Sequence, residues 1–174
     1  MLPILLALAF IALLFMVVIT GQPDDFKLSR STTISAPPEK IFPHVNDLHK
    51  WEAWSPWAKL DPNAKNSFSG PGAGTGTSMA WEGNCKVGVG KMTVTDSQPS
   101  GVVRFRLDFE KPMKATNMAE FTFLPDGGAT VVTWSMSGKN NLGGKVFGLF
   151  MSCDQMVGCQ FEKGLATLKS LAEA

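Results

Sequence analysis

The 174-residue chain carries 16 Lys and Arg against 15 Asp and Glu, a net charge of +1, and 44% of its residues are hydrophobic. That balance excludes a disordered chain and lacks the basic excess of a nucleic-acid binder; three cysteines are too few for a disulfide scaffold. The length suits one ordinary domain with a hydrophobic core, yet the first charged side chain is Asp24.

From Leu2 to Ile19 every residue is apolar. As a helix, these 18 residues span roughly 27 Å, close to the hydrocarbon thickness of a bilayer. Pro3 falls in the first turn, where its missing N–H costs nothing, and Gly21, Gln22 and Pro23 end the helix. A cleaved secretory signal fits less well: no Lys or Arg precedes the run, the run exceeds a signal core, and no A-x-A-like site follows. The pattern predicts a single-pass anchor at residues 1–21, a linker at 22–25 and a folded domain at 26–174. Lys27, Arg30 and Lys40 follow the span, so the positive-inside rule leans towards a cytoplasmic domain.

Phe26 to Ser35 alternates as a strand, with Arg30 interrupting its apolar face. Ser35-Ala36-Pro37-Pro38-Glu39 opens a helix that carries Ile41, Phe42 and Val45 inward. A second short helical piece runs from Leu48 to Trp54. Period-two patterns follow at Ser67–Ser69, Thr77–Glu82, Val87–Thr95, Val102–Phe109, Thr116–Leu124 and Ala129–Ser137, with Gly, Pro, Asn and Asp turns between them. The short connections predict an antiparallel meander. Phe105, Leu107 and Phe109 oppose Arg104, Arg106 and Asp108; Phe121 and Phe123 oppose Glu120 and Thr122; Trp134 and Met136 oppose Thr133 and Ser135. One face is therefore apolar and the other polar. A flexible stretch is expected from Gly138 to Gly144. Met156, Val157, Phe161, Leu165, Leu168 and Leu171 then mark a long amphipathic helix.

This order, with Thr33-Ile34-Ser35-Ala36-Pro37-Pro38-Glu39-Lys40-Ile41-Phe42, Trp51-Glu52-Ala53-Trp54-Ser55-Pro56-Trp57 and Phe161-Glu162-Lys163-Gly164-Leu165, resembles the START/Bet v 1-like superfamily in its polyketide cyclase/dehydratase-like branch. The resemblance covers about residues 26–172. It implies an α+β helix-grip fold, a curved antiparallel sheet wrapped around a long C-terminal helix, here preceded by a transmembrane helix. It implies a cavity for hydrophobic ligands such as lipids, sterols or polyketides. The apolar leader resembles that of membrane-anchored bacterial members, which implies the inner membrane.

Trp51, Trp54, Trp81, Phe105, Leu107, Phe121, Phe123, Trp134, Met136, Val157 and Phe161 are the candidate ligand-binding residues. They either line a pocket or fill a core, and alternation cannot separate the two outcomes. Glu82, at a strand end, and His44 are the candidate acid–base groups. The chain has no tyrosine, which removes one common donor for cyclase-type chemistry. His44 and His49 match no zinc spacing, so no metal or other cofactor is expected. Cys153 and Cys159, about 9 Å apart on a helix, are too distant for a disulfide. The Gly70–Gly76 loop lacks the Lys-Ser/Thr of a phosphate loop.

The leading expectation is a membrane-anchored domain that binds a hydrophobic small molecule or lipid. A cyclase or dehydratase is the alternative, and a protein-interaction or chaperone-assisting module is the third. The last requires an apolar outer sheet face, where Arg104, Arg106, Asp108 and Glu120 stand instead.

Overall fold

The computed structural model describes residues 2–140, 143–146 and 157–174, and at positions 2, 5, 7 and 12 the backbone. Helix α1 (Leu2–Thr20) has no acidic or basic residue in either terminal turn. Its described large apolar side chains from Ile4 to Val18 are 44–65% exposed, whereas Ile19 is buried. Among the fully described residues, no helix is long and apolar enough to cross a membrane. The anchor expected at residues 2–19 is therefore not shown by the structure and rests on the sequence alone.

Seven strands follow: β1 (Asp25–Ile34), β2 (Lys65–Ser69), β3 (Ser78–Glu82), β4 (Val89–Gln98), β5 (Val102–Lys111), β6 (Ala115–Asp126) and β7 (Ala129–Lys139). They form one antiparallel sheet in the order β1-β7-β6-β5-β4-β3-β2. Consecutive strands from β2 to β7 are neighbours, so short turns suffice. The long excursion between β1 and β2 carries the helical segments. Register shifts on β4 at Val89/Gly90 and Val94/Asp96 supply the local bending that a curved sheet needs.

Helix α2 (Pro38–Asn46) starts on Pro37-Pro38 with Glu39 in its first turn, and buries Ile41, Phe42 and Val45 as the sequence predicts. The Asp47 carboxylate accepts from the His49 N–H and opens the 3-10 turn Leu48–Ala53, which buries Leu48 and Trp51. A short helix, α3 (Pro56–Leu60), follows. The Thr130 hydroxyl donates to the buried Ala36 carbonyl at 2.7 Å, tying the start of α2 to β7.

Helix α4 (Cys159–Glu173) packs along β1 and touches α2, α3 and β7. Arg30 Nε donates to Glu162 Oε1 at 2.6 Å, Lys169 Nζ to the Thr33 carbonyl at 2.5 Å, and the Ser35 N–H to Glu173 Oε1 at 2.6 Å. These pairs ascend together along both elements, so α4 runs parallel to β1. The Ser35 N–H, and after it Lys169, hold the Glu173 carboxyl below its ordinary pKa. Phe161, Leu165 and Leu168 are buried, but Leu171 is 38% exposed, against its expected place on the inner face. Gly138 belongs to β7 rather than to a flexible stretch. Met151, Cys153 and Met156 lie outside the described residues; Cys85 and Cys159 are free and exposed.

Candidate functional site

Alternation along the strands sends one side chain in two to the concave face, and pairing stacks these residues into rows across the sheet. The deeper rows are aromatic. Trp134 on β7 stacks between Phe161 of α4, with centroids 3.9 Å apart, and Phe121 of β6, at 4.7 Å. Trp51 and Trp54 enter from the helical side, 4.7 Å apart. Their indole N–H groups donate to the Val45 carbonyl (2.8 Å) and the His44 carbonyl (2.9 Å). Trp51 meets Phe105 edge-on at 5.3 Å, and Phe42 meets Phe123 at 5.6 Å. The structure thus brings Trp51, Trp54, Phe105, Phe121, Phe123, Trp134, Met136 and Phe161 together as buried neighbours in one cluster.

The remaining candidates form a different group. Trp81, Leu107 and Val157 are only partly buried against that cluster, as are Phe26, Trp57 and Met79. Pairing places Phe26, Gly138, Asn117, Leu107, Met92, Met79 and Phe68 in one row crossing all seven strands. Trp81 lies one row further out, edge-on to Phe109 at 5.7 Å. This is the end of the sheet where β1 begins. The interior is therefore closed by aromatic packing at depth and rimmed by half-buried apolar groups at the β1-start end.

Sequence reasoning missed Asn117. It is 8% exposed on the concave side of β6, and its Oδ1 has no hydrogen-bond partner among the described residues. The signal was available, because period two puts Asn117 on the face of Ala119, Phe121 and Phe123. The indole N–H of Trp134 is likewise buried without a partner among the described residues.

Glu82 is exposed at the end of β3, so it is not a desolvated acid or base. His44 is partly buried on α2, and among the described residues its imidazole has no hydrogen-bond or ion-pair partner to orient it. Burial, and secondarily Lys50, hold it below its ordinary pKa. His49 is exposed, 3.0 Å from Asp47 and stacked on Phe68. No group of three or more His, Cys, Asp or Glu that would hold a metal occurs among the described residues.

The outer sheet face is polar. Arg104 pairs with Asp96 and Glu120, both at 2.6 Å, and Arg106 with Asp108 at 2.9 Å. The Thr116 hydroxyl, with help from Arg106, keeps the Asp108 carboxyl below its ordinary pKa. Two depressions lie outside the interior. One of about 260 Å³ sits on this outer face around Arg104 and Glu120; another of about 240 Å³ lies between β1 and α4 around Ser31 and Glu162.

The sheet, the covering helix and the apolar interior agree with a family model described as polyketide cyclase / dehydrase and lipid transport, which matches residues 25–173. The chain belongs to this family. No curated protein matches it in sequence. Among solved structures, CV1439 from Chromobacterium violaceum is 15% identical with a TM-score of 0.61, over 88% of this chain and 99% of that one. The Aha1 dimer from Colwellia psychrerythraea is 20% identical with a TM-score of 0.55, over 86% and 95%. CalU16 from Micromonospora echinospora is 14% identical with a TM-score of 0.56, over 84% and 65%. At these identities the likeness is one of fold. Within the polyketide cyclase / dehydrase and lipid transport family, the expected helix-grip architecture is thus the one this chain adopts, with seven antiparallel strands and a C-terminal helix.

Proposed function

We propose that the protein is a membrane-anchored domain that binds a hydrophobic small molecule or lipid between the concave face of its sheet and α4. Residues 2–19 hold it in a bacterial inner membrane, with the domain on the cytoplasmic side. The observation that carries the binding reading is the rim of half-buried apolar side chains at the β1-start end, which includes Phe26, Met79, Trp81 and Leu107. Such a rim leaves apolar area that a ligand's hydrocarbon part covers on binding. The aromatic cluster behind it limits how deep a ligand goes without side-chain rearrangement. The family description, which includes lipid transport, agrees with this reading. A cyclase or dehydratase reading needs a positioned acid or base, and the two candidates for that role stand exposed or unoriented.

The full-length chain, purified in phosphatidylcholine nanodiscs, is expected to bind a fluorescent fatty-acyl probe and to show a bound apolar molecule by native mass spectrometry. Trp81→Ala is expected to weaken probe binding roughly tenfold, the equivalent of about 1.4 kcal/mol of lost contact. A wild-type protein that binds no probe and carries no ligand sinks the proposal.

A further inference from the structure

Asn117 is the one polar side chain in a row otherwise made of Phe26, Gly138, Leu107, Met92, Met79 and Phe68. It is 8% exposed; among the described residues its Nδ2 has the Met136 sulfur, at 4.0 Å, and its Oδ1 has no partner. Buried amides are almost always paired, so a lone acceptor in an apolar wall calls for a reason. The strand beside it is shaped to leave that oxygen room. A Cβ at Gly138 would lie 2.1 Å from Asn117 Oδ1 and 2.9 Å from the Phe26 ring. Glycine inside a strand gives up packing and stiffness, and marks a place where something approaches closely. The group that approaches Gly138 is the Asn117 amide itself, so the glycine keeps at the rim an amide whose oxygen stays unpaired, a locally unfavourable choice of the kind expected at a binding site.

Resting on the ligand-binding reading above, we infer that Asn117 Oδ1 accepts a hydrogen bond from an uncharged hydroxyl of an amphipathic ligand. The ligand's hydrocarbon part lies against Leu107, Trp81 and Phe26. A hydroxyl suits an amide in either orientation of the side chain, since it donates to Oδ1 and accepts from Nδ2. A carboxylate has no donor to give Oδ1 and would be desolvated there unpaired. The unpartnered N–H of Trp134 lies about 13 Å deeper along β7. Trp51, Trp54 and Trp57 meet that indole edge-on at 5.5–6.1 Å, and it has no part in this contact.

The test uses the full-length chain in phosphatidylcholine nanodiscs, with heats from empty nanodiscs subtracted. Two matched pairs of probes separate the sources of such a hydroxyl. The first pair is 1-dodecanol and dodecyl methyl ether, standing for a membrane amphiphile; the second is 2-naphthol and 2-methoxynaphthalene, standing for a soluble ring compound. Wild type is expected to prefer the alcohol of at least one pair by about tenfold, and Asn117→Leu to abolish that preference while binding the ether as before. The Leu variant is also expected to melt no lower than wild type, because it removes an unpaired buried amide. Equal binding of alcohol and ether by wild type overturns the assignment and leaves the ligand-binding reading standing. Loss of alcohol and ether binding together, with a lowered melting temperature, assigns Asn117 a structural role and overturns it too. Failure of wild type to bind any of the four probes removes both.

Discussion

The His44 imidazole, partly buried on α2, gives the stability of the fold a pH dependence. Burial penalises its charged form first and Lys50 adds to the effect, so its folded-state pKa lies below the ordinary value of about 6.5. Between the lowered value and the ordinary one, the unfolded chain binds the extra proton. The stabilisation is therefore complete above about pH 6.5 and is lost as the pH falls through that point towards the folded pKa. His44→Gln is expected to flatten this segment of the stability curve, read as urea midpoint against pH, and to leave ligand binding unchanged. An unchanged pH profile would assign the dependence to another group. Asn117 stands at the opposite extreme. Leaving its amide oxygen unpaired costs about 1–3 kcal/mol at every pH, a sum that a folding-only design avoids with leucine.

At the level of elements, α4 against the sheet depends on one missing side chain. Gly164 sits mid-helix, where alanine would gain about 1 kcal/mol in helix propensity. Its Cβ, however, would stand 2.9 Å from Trp134 Cζ3 and 3.1 Å from Pro56 Cδ. Trp134 is clamped between Phe121 and Phe161, so it yields only by disturbing the stack. Overpacking of this kind costs about 1–3 kcal/mol and exceeds the propensity gain. Gly164→Ala is expected to lower stability by about 1–2 kcal/mol in urea denaturation and to alter near-ultraviolet circular dichroism. A stabilised variant would mean that α4 shifts freely on the sheet. The sequence pattern revealed β4 to β7 and their inward faces because alternation is a local property. It misread Gly138 as part of a loop because the reason for glycine lies across the sheet, on Asn117. It left pocket and core unresolved for Trp51, Trp54 and Trp134 because both demand the same apolar residues. Only the ring stacking shows which side chains fill the depth and which stand at the rim.

For the whole molecule, the relation between α1 and the rim matters most. The linker after α1 is pinned to the domain: the Asn140 N–H donates to the Asp24 carbonyl at 2.7 Å, Asn140 Nδ2 to the Pro23 carbonyl at 3.1 Å, and Lys145 Nζ to Asp24 Oδ1 at 2.5 Å. Lys145 holds the Asp24 carboxyl below its ordinary pKa, so this contact persists through the neutral range. Phe26, two residues beyond Asp24, already belongs to the row that contains Asn117. If α1 lies in a bilayer, the rim accordingly faces the lipid surface, where apolar ligands partition. Asp24 and Asp25, which offset the cations after α1 in the bare sequence, face Lys145 and Lys139. Lys27 and Lys40 remain exposed on the domain side of α1, and cations flanking a span favour the cytoplasm. A variant retaining Cys85 as its only cysteine, an exposed position, is expected to stay in the membrane pellet after an alkaline carbonate wash. It is expected to react with a membrane-impermeant maleimide only after the inner membrane is opened. Release by carbonate would remove the anchor, since an inserted apolar helix resists that treatment while a surface-bound protein does not. Labelling in spheroplasts with an intact inner membrane would keep the anchor but place the domain, and with it the rim, on the opposite leaflet.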